Sequence, residues 1–129
     1  MLNFGITNDT GIKLYFPKES ELIEKFDDIK TVYFNGTKEI LLSEENLNET
    51  ILSLKNMLTK ALNGQLSLHP SIEKFKVGLY WNQWTNALSN EAIENEDDYF
   101  ERHWLWSTNE IQTWVYNVGS EIYLEISPS

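Results

Sequence analysis

The stretch SEENLNETILSLKNMLTKALNG, residues 43–64, decides how the rest of the chain is read. Leu47, Ile51, Leu54, Leu58, Ala61 and Leu62 recur at helical spacing and make one apolar stripe. Ser43 stands where an N-cap is wanted, and Glu44 and Glu45 complement the positive end of the helix dipole. Leu42 and Leu47 are spaced as a hydrophobic staple. Lys60 falls in the last turn and Gly64 at the C′ position. The spacing predicts a helix over about 44–63, roughly 30 Å long and able to cross a sheet of several strands.

On its N-terminal side the chain reads as hairpins. Residues 2–7 and 12–16 flank the turn formers Asn8-Asp-Thr-Gly11, and Pro17 ends the second strand. Residues 19–28 carry a weak helical pattern through Leu22, Ile23 and Phe26. Residues 31–34 and 38–42 flank Asn35-Gly36, a strong hairpin signal because both residues tolerate positive φ.

On the other side, a loop holding His69-Pro70 leads to residues 73–81, which read as a strand. Residues 82–97 are polar and irregular, with one short helical turn near 86–93. Three strand-like runs follow, 99–106, 111–118 and 121–127, as an antiparallel meander. The expectation is a single α+β domain over 1–129. It would hold a mostly antiparallel sheet, built from N-terminal hairpins and the C-terminal three-stranded meander, with one principal helix packed on it.

The register of the last hairpin turns on Gly119. A two-residue loop, Val118-Gly119, pairs Val115 with Ile122 and leaves Trp114 outside beside Tyr123. A three-residue loop with Gly119 left-handed pairs Trp114 with Ile122 and turns Trp114 inward; it places the glycine where a bulge wants it and is preferred. A one-residue slip inverts every side chain. The aromatic residues of this region are therefore open to two readings, core packing or a contact surface.

Charge is distributed unevenly. Up to Lys76 there are 11 acids and 9 lysines; from Val77 to Ser129 there are 9 acids and one base, Arg102. The balances of −2 and −8 sum to the net −10, and all five tryptophans lie after Lys76. Such a half suits the recognition of a basic partner. Strong acidity repels nucleic acid and anionic lipid, so neither is expected as a ligand. There is no cysteine, which excludes disulfides, thiolate metal sites and cysteine nucleophiles. The first residues show no basic and apolar leader, and apolar runs fall far short of the roughly 20 residues of a membrane helix, so a cytoplasmic protein is expected.

No phosphate-binding glycine loop, HExxH or GxSxG motif is present, and no cofactor or metal is expected. The run Glu94-Asn-Glu-Asp-Asp98 lacks the glycine and the terminal glutamate of a calcium loop. It reads as a solvated loop, as a docking patch for a basic partner, or as a weak metal site. His103, with Glu101 on the same face, has no nucleophile to serve. The candidate partner-binding set is Glu91, Glu94, Glu96, Asp97, Asp98, Tyr99, Glu101 and His103.

At the C-terminus Trp114-Val-Tyr116, Gly119 and Ile122-Tyr-Leu-Glu-Ile-Ser-Pro128 follow one another. With the small size, acidity and lack of cysteine, this resembles the small cytoplasmic immunity proteins of bacterial toxin–immunity systems, and related α+β families of unknown function. The specific part of the resemblance covers 114–128. It implies a non-catalytic protein that neutralises a cognate basic, nuclease-like toxin by binding it, and it carries over no catalytic residue. Two other functions stay open: a homo-oligomeric or adaptor domain, and a small enzyme or ligand binder.

Overall fold

Strand β1 (Leu2–Gly5) turns back into β2 (Thr10–Tyr15) in a computed structural model that describes residues 2–16, 27–86 and 100–129. Strands β3 (Asp28–Asn35) and β4 (Lys38–Asn46) complete an antiparallel sheet in the order β1-β2-β3-β4. Asn35 pairs with Lys38, so the connecting loop is Gly36-Thr37, with Gly36 at φ +62° in its first position. That conformation suits a two-residue hairpin loop, which lies one residue later than the Asn35-Gly36 pair indicates, since Asn35 still pairs in β3. Ile12, Leu14, Ile29, Val32, Phe34 and Leu42 are buried in this half.

Helix α1 (Leu47–Leu62) begins later than the sequence suggests. Residues 44–46 instead extend β4, pairing with Lys30, Ile29 and Asp28 of β3. The ladder is irregular between Thr31 and Val32, and Leu42 is the unpaired extra residue there. Leu42 and Ser43 both lie within β4, four or five residues before the helix starts, so neither serves as staple or cap. The N-cap is Asn46, whose Oδ1 accepts the Glu49 N–H at 2.8 Å. The far end follows expectation: Gly64 has φ +68°, and its N–H reaches the Ala61 carbonyl at 3.0 Å.

Residues 73–81 do not form a strand. Val77–Asn86 is a helix, α2, in which Val77, Tyr80, Trp81 and Trp84 follow helical spacing. The alternation through Phe75 and Leu79 that mimics a strand leaves both of these side chains exposed. The expected helix over 19–28 falls largely, and the helical turn over 86–93 almost wholly, outside the described residues; of the former, Asp28 lies in β3.

Strands β5 (Trp104–Ser107), β6 (Ile111–Val118) and β7 (Glu121–Pro128) form the expected antiparallel meander, but the first strand starts only at Trp104, Phe100 and Glu101 being helical where a strand over 99–106 was expected. Its register matches neither expected alternative. Val118 pairs with Glu121, so the loop is Gly119-Ser120, and Trp114 lies opposite Glu125 while Ile122 lies opposite Asn117. Gly119 has φ +60° and occupies the first loop position, as Gly36 does in the earlier hairpin. Trp114 is inside, as preferred, but through a different pairing.

The fold is thus α+β with antiparallel sheets. Where one domain with one sheet was expected, there are two sheets, and the chain divides into two compact units, Met1–Ser53 and Leu54–Ser129, with the division inside α1. The helix that lies against the C-terminal meander is α2, which contacts β6 and β7. Among the described residues, no helix is long and apolar enough to cross a membrane.

Candidate partner-binding surface

Most of the tryptophans belong to the interior of the C-terminal unit. Trp114 is fully buried, and Trp81 packs against Trp84, Phe100, Trp104 and Trp114 with ring centroids 5.2–6.2 Å apart. Ile72, Val77, Phe100, Trp114 and Tyr116 form the buried cluster around which the other rings gather. The aromatic richness of this half is chiefly core packing.

That core holds a buried polar chain which fixes the start of α2. Glu125, on β7 and 5% exposed, turns its carboxylate toward the N-terminus of the helix. Its Oε2 accepts the Gly78 N–H at 2.8 Å, and its Oε1 accepts the Val77 N–H at 3.2 Å. These amides have no partner within the helix, and the carboxylate also meets the positive end of the helix dipole. The Tyr116 hydroxyl donates to the same Oε1 at 2.9 Å and accepts the Phe75 N–H at 2.8 Å. Burial is the main cause that pushes the Tyr116 phenol well above its usual pKa, so it stays protonated and able to donate.

Phe75, at the end of this chain, has φ +64°, the one non-glycine residue in the left-handed region among the described residues. That conformation costs a residue with a Cβ about 1–2 kcal/mol. The residue is nevertheless 59% exposed, and its ring meets the half-buried Tyr123 edge-on, with centroids 5.3 Å apart and planes at 87°. The Lys74 ammonium lies 5.7 Å from the Phe75 centroid and 5.5 Å from that of Tyr123. The Tyr123 hydroxyl donates to Glu121 Oε2 at 2.6 Å. That bond holds the phenol above its usual pKa.

The expected contact residues fare unequally. Glu91, Glu94, Glu96, Asp97, Asp98 and Tyr99 lie outside the described residues. Glu101 is exposed. His103 is fully buried and is not part of any contact surface. Its Nδ1–H donates to the Val115 carbonyl at 3.0 Å, and the Val115 N–H returns to the His103 carbonyl at 2.8 Å, so the residue is built into the sheet. Burial depresses its pKa to about 4, and the ring is neutral near pH 7.

A cleft of about 360 Å³ opens beside α2, lined by His69, Ser71, Ile72, Tyr80, Gln83, Trp84 and Phe100. His69 Nδ1 lies 2.6 Å from Ser71 Oγ and accepts the Ser71 N–H at 3.1 Å, which closes a local turn. Among the described residues, no group of three or more metal-ligating side chains is placed to hold an ion. Sequence reading did not single out Phe75, Tyr123 or Glu125. The left-handed turn and the cross-strand pairing that join them leave no local pattern. No family model, curated protein or solved structure matches this chain.

Proposed function

We propose that the protein is a non-catalytic binding protein that engages a basic protein partner through its acidic C-terminal half. The resemblance of residues 114–128 favours one form of this: an immunity protein that neutralises a cognate nuclease-like toxin. The observation that carries the reading is the nine acids set against the single Arg102 over Val77–Ser129. Among the described residues of this half, Glu101, Glu110 and Glu121 are exposed and Glu125 is committed to the interior. Complementary charge speeds encounter and suppresses wrong partners. The buried His103 and Glu125, the side chains best suited to acid–base work in this half, are engaged in holding β5–β6 and α2.

A toxin gene next to the encoding locus identifies the partner to be tried. Calorimetry with the toxin's C-terminal domain is expected to show a one-to-one complex and loss of toxin activity. Absence of binding at micromolar concentration would sink the reading. A second reading, a small-ligand binder, has the aromatic cleft at Tyr80, Trp84 and Phe100 in its favour. A thermal-shift screen with planar heterocycles tests it, and no shift across the set dismisses it.

A further inference from the structure

We propose that the corner formed by Phe75 and Tyr123 is a cation-binding docking point, which receives an arginine or lysine side chain of the basic partner and which Lys74 occupies in its absence. The inference rests on the reading of the partner as basic.

Three observations converge on it. Two rings meet at 87°, so one cation can be shared between an aromatic pair. Lys74 already supplies such a cation, within 6 Å of both centroids. Tyr123 also donates its hydroxyl to the exposed Glu121, which places a carboxylate beside the rings for a guanidinium to meet.

The backbone adds a fourth. A phenylalanine in the left-handed region, mostly exposed, contributes little to the core and strains the chain. Strain of this kind persists where surrounding structure holds it, and it gathers at binding sites. Here the holding structure is the Phe75 N–H bond to Tyr116, which Glu125 in turn fixes. Glycine is the residue that such a turn accepts without strain. The ring at this position therefore has a use outside the fold.

A second copy of this chain is a poor occupant, because each copy carries −10. Lys76, the neighbouring cation, is paired with Glu73 at 3.0 Å. Lys74 is the intramolecular competitor that an incoming cation displaces.

An amidated arginine–glycine repeat peptide serves as the probe, titrated into the full chain and followed by the ring-proton signals of Phe75 and Tyr123. Both sets of signals are expected to shift. Lys74→Gln should bind the peptide roughly threefold more tightly than Lys76→Gln, since both remove one positive charge but only the first clears the rings. Phe75→Gly, which relieves the backbone strain and keeps the fold, should weaken binding by roughly threefold or more. Equal affinities for the two lysine variants, or unchanged affinity in Phe75→Gly, overturn the proposal. Peptide binding at the corner with no toxin binding overturns the immunity reading and leaves the docking point standing. Toxin binding that Phe75→Gly does not alter does the reverse.

Discussion

The carboxylate of Glu125 on β7 accepts the Gly78 N–H at 2.8 Å, so a strand residue 47 positions later in the chain caps the start of α2. Local sequence offers no such cap, since α2 has no acidic residue in its first turn. Glu125→Gln keeps the shape but removes the charge, and an amide nitrogen cannot accept the second N–H. We expect a loss of about 1–3 kcal/mol in urea unfolding. Tyr116→Phe should cost a similar amount, because it strips the Phe75 N–H of its partner. The two changes should be non-additive. Strict additivity would show that the chain of bonds does not act as one unit.

Gly78 allows α2 to approach β7 closely. A Cβ there would lie 1.9 Å from Ser127 Oγ and 2.5 Å from Ser127 Cβ. Gly78→Ala is therefore expected to destabilise by about 1–3 kcal/mol despite the better helix propensity of alanine. In a Ser127→Gly background the same change should cost much less. A cost that persists undiminished would point to another clash.

His103 gives a pH dependence whose sign follows from its depressed pKa. The unfolded chain takes up a proton near pH 6.5, and the folded one only near 4. Stability is thus full above about pH 6.5 and is lost as the pH falls toward 4, by at most about 3 kcal/mol from this residue. Urea midpoints compared at pH 7 and pH 4.5 should fall further for the wild type than for His103→Leu. Equal falls would remove His103 from the account.

Asn117 joins three segments of the C-terminal unit. Its Oδ1 accepts the Leu66 N–H and its Nδ2 donates to the Ala61 carbonyl, both at 2.9 Å. Asn117→Ala leaves the Leu66 N–H without its partner, while the Ala61 carbonyl keeps the Gly64 N–H, and should lower stability by about 1–3 kcal/mol. Amide hydrogen exchange at Leu66 should rise with it. Protection at Leu66 equal to wild type would count against this role.

Reversing the charge of Glu94, Glu96, Asp97 and Asp98 together should slow association with the proposed basic partner roughly tenfold at low salt and flatten its salt dependence. Stopped-flow mixing measures both. An unchanged association rate would move the docking surface elsewhere.

Where neighbours along the chain carry the information, sequence and structure agree. The occurrence of turns at Gly36 and Gly119 (though not their loop positions or the register that follows from them), the end of α1 at Gly64 and the C-terminal meander all rest on residues a few positions apart. The start of α1 was misplaced because pairing with Lys30, Ile29 and Asp28 holds residues 44–46 in the sheet, against good capping chemistry at Ser43. Residues 73–81 carry strand alternation and the start of a helical period together, and burial of Val77, together with the Trp81 contacts, decides for the helix. Of the expected contact residues, the exposure of Glu101 and the burial of His103 could not be told apart from two neighbouring positions.

By itself, then, the sequence determined the α+β class, the places where the hairpins turn but not their register, and the strongly acidic C-terminal half, because charge and short-range backbone preferences are properties of nearby residues. Only the tertiary structure decided that the tryptophans are mostly core, that Glu125 caps α2, and that Phe75 is held open beside Tyr123. Each of these depends on residues brought together from far apart in the chain. The free energy that settles them is that of burial and of cross-strand hydrogen bonds, which no local pattern records.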